Sequence, residues 1–122
     1  MLTIGSIVLG VSDVPRAVTF WTRALDYVPR DALRDDFVVL RPADGGPGVQ
    51  VALMGSDTAP QEHPRVHLDL YAGDAAGQAA EVERLVALGA RRVDWDHYPE
   101  DPDFVVLADP DGNRFCIIDT SR

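Results

Sequence analysis

The chain has 122 residues, 46% of them hydrophobic, a single cysteine and a formal net charge of −9. That is one compact domain with enough apolar residues for a core, and its acidity argues against nucleic acid and anionic membranes, which are bound by clustered Lys and Arg. No apolar run reaches membrane-spanning length and no basic region precedes the first apolar stretch, so neither a transmembrane helix nor a signal peptide is read. The lone Cys116 rules out an internal disulfide and fits a reducing, cytoplasmic compartment.

Thr3–Val11 alternates as a strand, with Ile7, Leu9 and Val11 on one face and Ser6, Val8 and Gly10 on the other. Ser12 or Asp13 then caps a helix with Pro15 in its first turn. Val14, Ala17, Val18, Trp21 and Leu25 form its apolar stripe, which places Trp21 and its neighbour Phe20 in the core. The helix ends near Asp26, and strands follow at Tyr27–Arg30, Asp36–Arg41 and Val49–Met54. Ser56–Pro64 is polar and proline-containing and reads as a linker. A second series begins with the strand Arg65–Tyr71, where Val66, Leu68 and Leu70 alternate with His67, Asp69 and Tyr71. A helix over Gly73–Leu88 follows, with Ala79, Val82, Leu85 and Val86 inward and Gly89 after its end. The strands Arg91–Trp95, Asp103–Ala108 and Asn113–Asp119 complete the chain.

The two series are copies of one unit. Phe-Val-Val-Leu occurs at Phe37–Leu40 and at Phe104–Leu107, and each is followed at the same distance by Asp-Gly, at Asp44-Gly45 and Asp111-Gly112. Upstream, Ser6–Leu9 running into Ser12-Asp13 matches His67–Leu70 running into Gly73-Asp74. A duplication of this kind decides architecture first. The expected fold is α+β: two tandem βαβββ modules whose mixed sheets curl around a cavity, module one at about 1–56, a linker at about 57–63 and module two at about 64–122. Each helix should cover the purely apolar face of its sheet. The opposite face then carries Ser6, Val8, Gln50, Ala52, His67, Asp69, Tyr71, Cys116 and Ile118, a mixture suited to a cavity wall between the copies.

Three stretches, Ile7–Trp21 (IVLGVSDVPRAVTFW), His67–Asp74 (HLDLYAGD) and Leu107–Ile117 (LADPDGNRFCI), together with the duplication, resemble the vicinal oxygen chelate superfamily. That superfamily includes glyoxalase I, extradiol dioxygenases and bleomycin and fosfomycin resistance proteins. The chain is most similar to its small glyoxalase-like members and resembles them over essentially its full length. The resemblance implies a cavity between two modules and a homodimer. It also implies a divalent metal held by one side chain from the first and last strands of each module, usually His or Gln, Glu, His and Glu. Matched residue by residue, those positions are Ser6, Gln50, His67 and Cys116, with the first-module turn taken as about one residue longer. Only His67 keeps the pattern. A hard ion wants carboxylates, and zinc would find two ligands beside a Ser and a Gln. No metal and no cofactor are therefore expected, which removes the basis for metal-dependent glyoxalase or dioxygenase chemistry.

His67, Asp69 and Tyr71 share a strand face and could form a proton-transfer set, with His67 as base or acid, Asp69 tuning it and Tyr71 as donor. The competing reading is that they line a wet cavity or a dimer contact. Cys116 lacks a positive neighbour and a nucleophile motif, so it reads as a buried small hydrophobe. Trp95, His97 and Tyr98 either close over an apolar or cationic ligand, or leave Trp95 capping the core with the other two in solvent. Asp109–Asn113 lacks the ligand series of a calcium loop and reads as a turn in which Gly112 and Asn113 tolerate positive φ. Gly45, Gly46 and Gly48 form a turn without a P-loop lysine.

Three functions compete. The first is metal-independent binding of a small organic molecule by Ser6, Gln50, His67, Asp69, Tyr71, Trp95 and Cys116, for which the acidity favours a cationic ligand, unless that charge serves solubility alone. The second is an enzyme (a lyase, isomerase or metal-dependent dioxygenase) using His67 with Asp69 and Tyr71. The third is a structural or regulatory dimer with a vestigial cavity. The binding reading is preferred, with the enzyme as its alternative.

Overall fold

The computed structural model describes residues 1–122. The chain divides into two compact units, Met1–Ala59 and Pro60–Arg122. Each is α+β: a strand, a helix and three further strands, the four strands forming one mixed sheet.

In the first unit β1 (Ser6–Val11) is followed by α1 (Val14–Leu25), β2 (Tyr27–Pro29), β3 (Phe37–Pro42) and β4 (Gln50–Gly55). The sheet order is β1-β4-β3-β2, with β1 parallel to β4 and the other neighbours antiparallel. Asp13 caps α1, its carboxylate accepting from the Arg16 N–H at 3.0 Å, so an N–H without a helical partner is satisfied. The helix stops where Asp26 turns into the left-handed region. Val14, Ala17, Phe20 and Trp21 are buried. The Phe20 and Trp21 rings meet edge to face with centroids 5.0 Å apart, the arrangement favoured by aromatic quadrupoles.

The second unit repeats the pattern with β5 (Asp69–Tyr71), α2 (Ala75–Leu88), β6 (Arg91–Arg92), β7 (Phe104–Ala108) and β8 (Arg114–Ile118), ordered β5-β8-β7-β6. Asp74 caps α2 by accepting from the Gly77 N–H at 2.8 Å. Glycine is required at 77 because a Cβ there would collide with the Ala72 carbonyl oxygen.

Three sequence expectations are corrected here. The first strand of this unit pairs only over Asp69–Tyr71 rather than from Arg65, and Val66 is exposed instead of inward. Ala79 and Val86 also face solvent; the inner face of α2 is Gln78, Val82 and Leu85. Gln78 is held there because its amide donates to the carbonyls of Asp103 and Ile117, both at 2.9 Å, tying the helix to β7 and β8; the Asp103 carbonyl also accepts from the Asp119 N–H at 2.8 Å. Finally, β6 has two residues and not five. The Val106 N–H that a longer β6 would have served instead donates to the Tyr98 hydroxyl at 2.8 Å.

The turn between β7 and β8 is organised by Asp109, which is fully buried. Its Oδ1 accepts from the N–H groups of Asp111 at 3.0 Å and Asn113 at 2.8 Å. Gly112 takes positive φ, at 93°, whereas Asn113 does not.

Candidate functional site

The helix-free face of the second sheet gathers titratable side chains. Asp69 opens β5 and lies opposite Cys116 of β8. His67, two residues earlier, projects on the same side, and its Nε2 is 3.1 Å from Asp69 Oδ1. The Cys116 thiol donates to the Asp69 carboxylate and is 7% exposed; burial, with the Asp69 charge and that hydrogen bond, pushes it up to about 11. Asp69 therefore sits between an imidazole and a protonated thiol. At neutral pH Cys116 is a donor and not a nucleophile, since only the thiolate attacks.

These three residues lie in a pocket of about 590 Å³, within the range of small-molecule sites. Tyr71, Trp95, Phe104 and Ile118 supply its apolar surface, and Asp103, Asp119 and Arg122 further charge. His67, Asp69, Tyr71, Trp95 and Cys116 were thus placed together by sequence and line one pocket. Phe104, Asp103 and Arg122 were missed as lining. Phe104 had a legible signal: it lies opposite Ile118 in the β7–β8 register, hence on the same face.

In the loop after β6, Trp95 and His97 border the pocket, where the ligand-closing reading puts them, whereas Tyr98 is turned toward β7. Trp95 is half-buried, with the rings of His63 and His97 at 5.1 and 5.6 Å and the Arg114 guanidinium 5.9 Å above the indole. Its Nε1 is buried and has no hydrogen-bond partner, an uncommon state for an indole N–H. Tyr98 is held by Val106 and rests 5.2 Å from Phe104, ring to ring.

Ser6 and Gln50 lie in the first unit, opposite one another in the β1–β4 pair. Gln50 donates to the Gly5 carbonyl at 2.9 Å and lies within 3.5 Å of Arg30, so its amide ties down the backbone entering β1. The two registers also revise the match between modules. Phe37 faces Met54 and Phe104 faces Ile118, spans of 17 and 14 residues, so the first turn is three residues longer. Val8 faces Ala52 as Asp69 faces Cys116. The counterpart of Cys116 is therefore Ala52, and Gln50 corresponds to Arg114.

Two βαβββ units, each with its first strand parallel to its last and the second holding a polar pocket, define a duplicated α+β fold. The family described as Glyoxalase-like domain matches residues 6–118. The chain belongs to that family, within the vicinal oxygen chelate superfamily. Solved structures with the same fold include a glyoxalase-related enzyme from Fulvimarina pelagi (18% identity, 99% of this chain and 90% of that one, TM-score 0.74). Another is the fosfomycin resistance protein FosX from Listeria monocytogenes (17%, 97% and 90%, 0.72). A third is a glyoxalase/bleomycin resistance protein from Albidiferax ferrireducens T118 (20%, 94% and 96%, 0.63). At these identities the likeness is one of fold. No functionally curated protein matches the chain.

The divalent ion that the superfamily implies does not fit the donors at its four positions. They hold a Ser hydroxyl, the Ala52 methyl where an amide or carboxylate was expected, His67, and a thiol that keeps its proton to about pH 11. The nearest alternative groups His67, Asp69 and Cys116, whose ligand atoms lie within 4.8 Å of one another. It has one carboxylate, too few oxygens for a hard ion, and its sulfur donor is held as the protonated thiol rather than the thiolate that zinc takes.

Proposed function

We propose that the protein binds a small organic molecule in the second-unit pocket without a metal, the preferred ligand being a cation that carries an aromatic or apolar group. The observation that carries this reading is the pocket's composition. Asp69, Asp103 and Asp119 outnumber Arg122, and Tyr71, Trp95 and Phe104 offer ring surface, a combination that favours cations over anions. The net charge of −9 acts in the same direction over longer range. The test is thermal denaturation against a panel of protonated aromatic amines and matched aromatic carboxylates. A ligand at a hundred times its Kd adds about 2.7 kcal/mol, roughly 10 °C for a domain of this size. Stabilisation should follow the amines and be lost in Asp69→Asn and Trp95→Ala. Amines that stabilise both variants as well as wild type would place the ligand elsewhere.

A second reading has its own support: His67 Nε2 lies 3.1 Å from Asp69 Oδ1, within ion-pair reach, as a base and the carboxylate that orients it need to be. As a lyase or isomerase, His67 would take a proton from a carbon acid in the pocket, with Asp69 stabilising the imidazolium and Tyr71 donating to the developing oxyanion. FosX was solved with Mn(II) and a dihydroxypropylphosphonic acid, whereas the four matched positions of this chain hold no donor set for such an ion. An activity that survives His67→Ala would end this reading.

The protein is also proposed to be a cytoplasmic homodimer, the exposed apolar side chains Val8, Val49 and Met54 of the first unit supporting self-association. No helix is long and apolar enough to cross a membrane. Sedimentation velocity tests the dimer.

A further inference from the structure

A second cluster of potential ligands lies beside Trp95, and of its three residues only His97 also borders the His67 pocket. His63 precedes β5, whereas Asp96 and His97 lie on the loop after β6. The three converge on the Asp96 carboxylate: His63 Nε2 is 2.7 Å and His97 Nε2 3.7 Å from Oδ1, and one ligand atom from each lies within 4.8 Å of the others. We infer that His63, Asp96 and His97 bind a divalent transition-metal ion of the zinc type.

The donor chemistry selects the ion. Two imidazoles and one carboxylate suit zinc and its neighbours, whereas magnesium and calcium want more oxygens. A tetrahedral ion with donors about 2.0–2.1 Å away holds those donors about 3.4 Å apart, so the atoms need small movements only. The imidazoles are stacked, with centroids 4.5 Å apart and planes 22° from parallel. Each must turn to aim its nitrogen at the ion, and both side chains are exposed enough to do so, at 43% and 63%. His63 holds the Asp96 carboxyl below the usual carboxylate range, so that ligand is ionised at neutral pH. Arg91, Arg92 and Arg114 line the same pocket as His63 and Asp96; Arg114 lies over the indole at 5.9 Å, its NH1 group donating to the Glu62 carbonyl.

The bland alternative is an ordinary His63–Asp96 ion pair on which His97 stacks. The two differ at His97, which stands beyond hydrogen-bond distance of Asp96 and matters only if an ion bridges the three. Such an ion would fasten the chain before β5 to the loop carrying Trp95, whose ring lies 5.1 Å from His63 and 5.6 Å from His97. It would thereby fix the aromatic wall of the ligand pocket.

The test is calorimetric titration of tag-free protein with Zn²⁺, beside His63→Ala, Asp96→Asn, His97→Ala and, as controls, His67→Ala and Cys116→Ser. The expected result is one ion per chain, weakened at least about tenfold by each of the first three changes and unaltered by the controls. Cu²⁺ should also quench the Trp95 share of the fluorescence, and Trp95→Phe should abolish that quenching while the buried Trp21 still emits. Zn²⁺ binding that is absent, that survives His97→Ala unchanged, or that fails in His67→Ala or Cys116→Ser would overturn the inference. All three ligands are exposed, so loss of binding should not reflect misfolding, and circular dichroism of each variant checks this.

Discussion

Cys116 offers a direct measurement of the environment at the pocket. Its thiol is pushed from 9.0 to about 11, first by burial, then by the charge of Asp69 and by the hydrogen bond to it. Two pH units mean roughly a hundredfold less thiolate at neutral pH than an ordinary cysteine would present. The assay is alkylation by iodoacetamide, followed by mass spectrometry from pH 7 to 11.5. The chain has no other cysteine and no lysine to interfere. The logarithm of the rate should climb past pH 10 and level near 11 in native protein, but level near 9 in guanidinium. Asp69→Asn should move the native break down only part of the way, because burial is the largest cause and remains. A native break at or below 9, or one indifferent to Asp69→Asn, would refute the assigned environment.

The same shift has a consequence for stability, and its sign is fixed. Below pH 9 both folded and unfolded chains hold the thiol proton, and the stabilisation is fully present. Between pH 9 and 11 the unfolded chain releases its proton while the native one keeps it, so stability falls. Two units correspond to about 2.7 kcal/mol; the site opens to the pocket, so about 2 kcal/mol is expected after screening. Cys116→Ala should flatten this part of the alkaline limb. Tyr27, also raised by burial, adds a loss of the same sign above pH 10 in both proteins, so the difference between the two denaturation curves isolates the thiol.

Gly77→Ala should destabilise the protein by at least about 1 kcal/mol in urea denaturation, although the same exchange inside an exposed helix gains about that much; a stabilised variant would show that the Ala72 carbonyl yields. Asp109→Ala should cost about 3 kcal/mol, because two backbone N–H groups lose a charged acceptor in a fully buried turn, and a loss under 1 kcal/mol would show that the turn reorganises. Protein purified without tag or chelator should show the same metal content by mass spectrometry in wild type and His67→Ala; a stoichiometric ion lost in the variant would restore metal-assisted catalysis at His67.

The fold was legible because its signals are local and repeated. Alternation in Ile7, Leu9 and Val11, the Asp13 cap with Pro15, and the duplicated Phe-Val-Val-Leu each carry their own physical meaning. The face of α2 was legible only at Val82 and Leu85: alanines at 75, 76, 79, 80 and 87 leave little apolar contrast around the helix, and the inward Gln78 breaks the pattern by bonding two carbonyls 25 and 39 residues away. At the site, alternation alone placed His67, Asp69 and Tyr71 together. It could not give the 3.1 Å approach of His67 to Asp69, which depends on side-chain torsions. The Trp95 loop lacks periodicity, so its packing against His63, distant in sequence, left no trace. Gln50 was matched to Cys116 because the repeat aligns well up to Asp44-Gly45, and nothing local shows that three extra residues follow before the last strand resumes.

With the registers aligned, the helix-free faces of the two units can be compared position by position. Ser6, Val8 and Gly10 of β1 correspond to His67, Asp69 and Tyr71 of β5, and Ala52 and Met54 of β4 to Cys116 and Ile118 of β8. Of the side chains in the first set, only Ser6 is polar, and none titrates near neutral pH. The second set holds an imidazole, a carboxylate, a phenol and a thiol. A binding site assembled from equal contributions of both copies would need polar groups on each. Here one copy holds them all, and the other presents small or apolar surface with its nearest amide, Gln50, holding backbone. That asymmetry is why substitutions at His67, Asp69 and Trp95 are the informative ones, and why Ser6→Ala should leave ligand binding and any turnover close to wild type.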